Sequence, residues 1–266
     1  MKYYTISPST RLSQFVRYFW VLEGDLKSKN YVHRSLADGG VEIVFHYKAM
    51  FDEIIAANRV EKSFASGISG QSRKFRRFIT CENFGIFGAY LYPFAVPQFF
   101  SFPATDMSNQ MISLEDLLGK DGKELEEKMM TATDNAHRVN IISAFLENRL
   151  NKKQLQTSPM IHAVSQIIHS KEIVDVRTLA KYFNLSTRQF ERKFKEFAGF
   201  SPKLFSRIIR FQSAASKYGS DYPTLTEIAY DCGYYDQSHF IHDFKEFSGY
   251  HPKTFFSGKA EGIEWR

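Results

Sequence analysis

The sequence predicts an α+β chain in two parts. The first is a small N-terminal β-barrel or sandwich-like domain with a helical coupling segment. The second is an all-α C-terminal domain of tandem helix-turn-helix units. Three observations carry this. Short β-branched and aromatic runs beside glycines fill the first hundred or so residues. The apolar spacing changes to about 3.6 residues near Ser113. Part of the C-terminal region then repeats itself at an offset of 50 residues.

The 266 residues, 43% apolar and 24% charged, suit one large or two ordinary folded domains. Cys81 and Cys232 alone make neither a disulfide framework nor a zinc cage, and two thiols fit a reducing cytosol. No apolar run approaches the ~18 residues of a membrane span, and residues 1–8 lack the apolar core of a secretion signal. A cytoplasmic protein with no membrane partner is expected. The net charge of +6 and pI near 9.1 permit a polyanionic partner without requiring one.

Residues 16–22, 41–46 and 84–91 read as strands of a β-rich domain over 1–110. Asp38-Gly39-Gly40 reads as a tight turn, because glycine accepts positive φ. Leu114, Leu117 and Leu118, then Leu125, Met129 and Met130, then Ile141, Ile142, Phe145, Leu146 and Leu150 form helical stripes. This segment, 111–152, carries more apolar surface than a small barrel need bury, so coupling or dimerisation is expected of it. Residues 151–159 are polar and end in Pro159, which places a linker at 153–159. Residues 160–256 read as helical almost throughout, and 257–266 as a tail.

The repeat dominates that last region. Phe194-Lys195-Glu196-Phe197-Ala198-Gly199-Phe200-Ser201-Pro202-Lys203 returns as Phe244-Lys245-Glu246-Phe247-Ser248-Gly249-Tyr250-His251-Pro252-Lys253. Upstream, Leu179-Ala180 matches Ile228-Ala229 at an offset of 49. Each copy reads as helix, turn, helix. Asp175, Ser186, Thr224 and Asp236 are candidate N-caps, and Asn184 and Gly233 suit left-handed turn positions. In the first copy Phe190, Phe194 and Phe197 share one helix face, with Arg188, Arg192 and Lys195 opposite. In the second, Phe240, Phe244 and Phe247 stand opposite Ser238, His242 and Lys245. An exposed basic face suits the major groove, where Arg reads guanine and Lys neutralises phosphate. Residues 171–217 hold 11 basic and 4 acidic side chains, while 221–258 hold 2 and 6. The first copy is therefore expected to dominate phosphate attraction. A joining helix of about 17 residues, from Ser201-Pro202 to about Tyr218, would span roughly 26 Å. That is close to the ~34 Å between successive major-groove turns.

The two units, their joining helix and the run from Cys232 to Lys245 followed by Gly249-Tyr250-His251-Pro252 resemble the AraC/XylS family of bacterial transcription regulators, over residues 160–256. The resemblance implies sequence-specific binding to double-stranded DNA. It implies contacts from Arg188, Glu191 and Arg192 in the first recognition helix, with Ser186, Thr187 and Lys195 alongside. In the second it implies Gln237, Ser238, His239 and His242, with Lys245. The family often has arginine where His242 stands. The N-terminal part resembles, less specifically, the sensor or dimerisation barrels often attached to this family. A homodimer is therefore expected, and an effector of unstated identity and RNA polymerase are candidate partners. No catalytic residue, metal or cofactor is expected.

Several features allow more than one reading. Arg73-Lys74-Phe75-Arg76-Arg77 reads as a DNA contact, an anion site inside the barrel, or a solvated strand. Tyr18, Phe19, Trp20, Tyr90, Tyr92 and Phe94 read as core or as pocket lining. His33, His46 and Glu42 would make a cupin-type metal enzyme only by converging in a barrel, and the close His pairing of such sites is absent. A ligandless DNA-binding protein controlled by protein partners is the other alternative.

Overall fold

The computed structural model describes residues 1–26, 30–57, 59–152, 158–170, 175–219 and 224–262. Strands β1 (Lys2–Ile6), β2 (Val16–Gly24), β4 (Val41–His46), β7 (Ser66–Ser69), β9 (Phe84–Leu91) and β10 (Met111–Ser113) form one antiparallel sheet in the order β1-β2-β9-β4-β7-β10. Strands β3 (Tyr31–Ser35), β5 (Asp52–Ala56), β6 (Arg59–Glu61) and β8 (Arg76–Thr80) form a second, in the order β3-β8-β5-β6.

Side chains alternate across the larger sheet, and both faces are covered. Phe19, Val21, Ile43, Phe45, Phe87 and Ala89 pack into the helical side. Trp20, Leu22, Val44, Phe84 and Ile86 face Tyr31, Phe51 and Phe78 of the smaller-sheet side. Two-sided burial explains why β9 reads as an unbroken apolar run.

The helical side begins with α1 (Ala95–Phe100), which lies within the region expected to be β-rich. All six of its residues are buried, so it has no polar face to reveal a helical period. The expected stripes form α2 (Leu114–Leu118), α3 (Lys120–Thr131) and α4 (Asn135–Asn151). Ser113 and Asp134 cap α2 and α4 through the backbone N–H groups of Asp116 and His137. Of the expected linker, 153–157 lie outside the described residues. Ser158 and Pro159 instead open α5 (Pro159–His169) as its cap and first residue.

The C-terminal helices are α6 (Val176–Tyr182), α7 (Thr187–Ala198), α8 (Pro202–Ala215), α9 (Leu225–Asp231), α10 (Gln237–Ser248) and α11 (Pro252–Phe256). The joining helix α8 has 14 residues, about 21 Å, and is shorter than its sequence suggests. It stops at Ser216 because the chain turns there and carries Tyr218 inward, against the edge of the Phe255 ring. Helix α8 sits in both units. Phe205 meets Phe194 at 5.8 Å, and Phe211 meets Phe244 and Phe247 at 5.2 and 5.5 Å. The apolar core is continuous from Leu12 in the barrel to Ala260 beyond the last helix.

One expectation needs correction, and one basic run is resolved in part. Asp38-Gly39-Gly40 joins strands of different sheets, and neither glycine has positive φ. Their lack of a side chain serves close approach: a Cβ at Gly39 would lie 3.0 Å from Phe205, and one at Gly40 would overlap the Tyr90 ring. The Arg73–77 cluster is divided: its arginines face carboxylates, while Lys74 and much of Arg73 are exposed to solvent. Arg76 holds Glu53, Arg77 makes two 2.8 Å bonds to Glu261, and Arg73 lies 3.8 Å from Glu246. The last two tie the barrel to the C-terminal helices. Buried Arg34 adds to this clamp by donating to the Ser248 carbonyl and Glu261, between the Phe75 and Tyr250 rings.

Two outcomes follow from this packing. Phe244→Ala removes a ring that touches Phe211, Phe240, Phe255 and Phe256. It should lower unfolding free energy by about 3–5 kcal/mol, measured by urea denaturation; a loss below about 1 kcal/mol would contradict the shared core. Burial lowers the His46 imidazole to about 4. The unfolded chain then takes up this proton first, so His46 should erode stability as pH falls from ~6.5 toward ~4. In NMR at pH ~5.5 its ring should be neutral; a protonated ring contradicts this environment.

Candidate nucleic-acid interface

Both helical units are built by the same local chemistry. In the first, the Leu185 N–H bonds the Ala180 carbonyl as Asn184 turns through φ 54°. Ser186 then caps α7 in a capping box with Gln189. In the second, the Tyr234 N–H bonds the Ala229 carbonyl as Gly233 turns through φ 74°. Asp236 caps α10 through the His239 N–H. The second turn holds one more residue, the exposed Tyr235, and this extra residue moves the repeat offset from 49 to 50. Thr224 opens α9 with a capping box of its own, formed with Glu227.

The stripes divide as their spacing requires. Phe190 and Phe194 are fully buried and Phe197 is half-buried. Ser186, Thr187, Arg188, Glu191, Arg192 and Lys195 are all exposed. In α10, Phe240, Phe244 and Phe247 are fully buried, while Gln237, Ser238, His239, His242 and Lys245 are exposed. The structure thus brings the candidate contacts together as one outward set on each second helix.

Among the described residues, much of the acidic surplus of the second unit is tied up within the protein. Asp243 and Glu246 turn toward α8, where Arg207 donates to both, at 2.7 and 2.5 Å. Asp231 pairs with Lys217 at 2.8 Å. Asp236 and Glu227 serve helix starts. A net-charge count therefore overstates the repulsion that α10 would offer a phosphate backbone. His242, Asp243 and Glu246 form the described cluster with metal-ligand spacing. Both of its carboxylates already accept from Arg207, so the cluster fits an internal ion pair better than a cation site.

A second candidate site lies between the sheets. A cavity of about 480 Å³ is lined by Tyr18, Trp20, Asp38, Glu42, Tyr90 and Gln212 among others, and α8 closes one side of it. Tyr90 Oη donates to Asp38, whose carboxylate also accepts from the Gly40 N–H at 2.6 Å. Gln212 on α8 reaches Tyr90 Oη at 3.4 Å and accepts from the Gly39 N–H at 3.5 Å. Burial, reinforced by the charge of Asp38, raises the Glu42 carboxyl to about 8. Burial likewise raises the Tyr18 and Tyr90 hydroxyls. Of the aromatic residues singled out in the sequence, Tyr18, Trp20 and Tyr90 line this space, while Phe19 and Phe94 are core. His33 and His46 sit in different sheets, either side of Phe51, and His33, His46 and Glu42 form no metal-spaced group among the described residues. The signal for the cavity was Glu42 itself, an acid within the otherwise apolar run of β4. Gln212 had no such signal, because its barrel partners are remote in sequence.

Comparison with known proteins finds two family matches. Residues 4–113 match a family described as "Domain of unknown function (DUF6597)", and residues 179–258 match one described as "Helix-turn-helix domain". The HTH-type transcriptional activator RhaS of Salmonella arizonae is 30% identical over 112 residues, which is 42% of this chain and 33% of that protein. RhaS of Enterobacter sp. (strain 638) is 33% identical over 72 residues, 27% of this chain and 26% of that protein. The chain thus spans about a third or less of these relatives' length. The apo structure of a single-residue variant of ToxT from Vibrio cholerae aligns over 91% of this chain and 98% of its own, with TM-score 0.50 and 14% identity, a likeness of fold. The chain thus matches a helix-turn-helix domain family over residues 179–258 and is similar, over part of its length, to HTH-type transcriptional activators.

Proposed function

We propose that this protein is a sequence-specific DNA-binding transcription regulator that offers α7 and α10 to successive major-groove turns of one duplex. The observation that carries this reading is the pair of outward polar faces, each backed by a buried phenylalanine stripe and both seated on α8. Arg188 and Arg192 would read guanine edges or hold phosphate, with Lys195 on the backbone. Ser186, Thr187 and Glu191 would complete the first contact set. Gln237, Ser238, His239, His242 and Lys245 would form the second. The cavity beneath α8 would be the effector site. Its hydrogen bonds to Gln212 offer a route by which an occupant biases the seat of the joining helix. The partly exposed Ile141 and Phe145, lining the groove between α3 and α4, would pair with a second copy.

The test is affinity for a duplex selected from random sequence, measured by fluorescence anisotropy over a salt series. Replacing Arg188 and Arg192 together by alanine should weaken binding by about tenfold or more. It should also reduce the slope of log affinity against log salt by roughly 1–2. His242→Ala should change both less. Equal effects of the two changes, or no duplex selected at all, would contradict the reading.

A further inference from the structure

We propose that the cavity beneath α8 takes a small organic cation, a protonated amine or guanidinium on a compact apolar body, with its charge at the Glu42 and Asp38 carboxyls and its body against the Tyr18, Trp20 and Tyr90 rings. This rests on the reading of that cavity as the effector site and names the chemistry it would recognise.

The volume of about 480 Å³ lies within the usual range for a small-molecule site. Its inward polar groups are unequal in sign. Glu42 projects from β4 on the same face as Val44, into the space between the sheets, and burial and Asp38 both act against its ionisation. The Trp20 indole N–H is buried at this site with no partner within hydrogen-bond distance. Of the two arginines of the lining, one is engaged elsewhere and the other stays at the rim. Arg34 is held by Ser248 and Glu261 between two rings. Arg17 is exposed at the rim, with its guanidinium 5.9 Å from both the Tyr18 and Tyr90 rings. Those rings stack with centroids 5.1 Å apart. Arg17 shows that this aromatic pair accepts a cation, and it leaves the deeper carboxyls without one. An incoming cation would gain both the π faces and the carboxyls. An anion of the same shape would meet Asp38 and Glu42 in the interior, with only Arg17 at the rim to receive it. Regulation follows through contact: Asp38 is bonded to Tyr90, and Tyr90 to Gln212 of α8.

Three probes of similar shape decide the class: phenethylammonium, 2-phenylethanol and 3-phenylpropionate, each titrated calorimetrically into the full chain at pH ~7.5. Phenethylammonium should bind at least about tenfold more tightly than either of the others. Its affinity should rise between pH ~6 and ~8.5, as Glu42 becomes free to ionise. The groups facing Glu42 in that range are Asp38, Tyr3, Tyr18, Trp20, Tyr90 and His33, with Arg17 and Arg34 from the rim and clamp and uncharged Gln212 from α8. Glu42→Gln should abolish the preference for the cation while retaining the wild-type melting cooperativity. Asp38→Asn supplies the same comparison should the first variant fail to fold. Preference for the anion, equal binding of the alcohol, binding by none of the three, or an unchanged preference in a folded variant would each overturn the proposal. Duplex binding by the same preparation keeps the two readings apart. A chain that holds DNA but none of the probes refutes only the ligand class. A chain that binds the cation but no duplex supports the ligand class and refutes the regulator.

Discussion

The packing of α8 is the constraint on which the rest of the molecule depends. Its Phe205 enters the core of the first unit, and its Phe211 enters that of the second. Arg207 fastens its side to α10 through Asp243 and Glu246, and Arg210 reaches the Gly233 carbonyl in the second turn. Its remaining face lies on the barrel, where Gly39 leaves room for Phe205 and Ile209. A helix buried on three sides cannot turn about its own axis without breaking close packing in each of three places. The separation and phase of α7 and α10 are therefore properties of α8 rather than of a flexible tether.

The barrel holds the C-terminal domain at points besides α8. Ser108 donates to the Gly199 carbonyl at the end of α7, and the Ala37 N–H bonds the Phe247 carbonyl near the end of α10. Arg34 and Arg77 grip Glu261 beyond α11. These joints are polar and unevenly satisfied. The amide of Gln71 is fully buried beside Gly199 with neither end partnered, and an unmet buried amide costs about 1–3 kcal/mol.

Much of this architecture was legible in the sequence where a rule acts locally. The caps at Asp175, Ser186, Thr224 and Asp236, the left-handed Asn184 and Gly233, and the alternation of phenylalanine with exposed side chains are each set within one or two helical turns. What could not be read depends on residues remote in the chain. The glycines at 39 and 40 signalled a turn by local rules, yet their conformation is ordinary and their role is to admit α8 and Tyr90. The basic run at 73–77 looked like a free surface because its carboxylate partners lie at Glu53, Glu246 and Glu261. The acidic balance of the second unit hides the pairing of Asp243, Glu246 and Asp231 for the same reason, since composition does not say which way a carboxylate points. The exposure of the candidate DNA contacts belongs to the legible part. The cavity was half legible, in Glu42 and the aromatic run beside it, but not in the helix that closes it.

If one helix fixes two reading heads at groove spacing, methylation interference on the selected duplex measures it directly. Two clusters of major-groove guanines are predicted, on one face of the DNA and about one helical turn, roughly 10 base pairs, apart. A single cluster, or two clusters on opposite faces, would contradict a rigid α8 as the element that spaces α7 and α10.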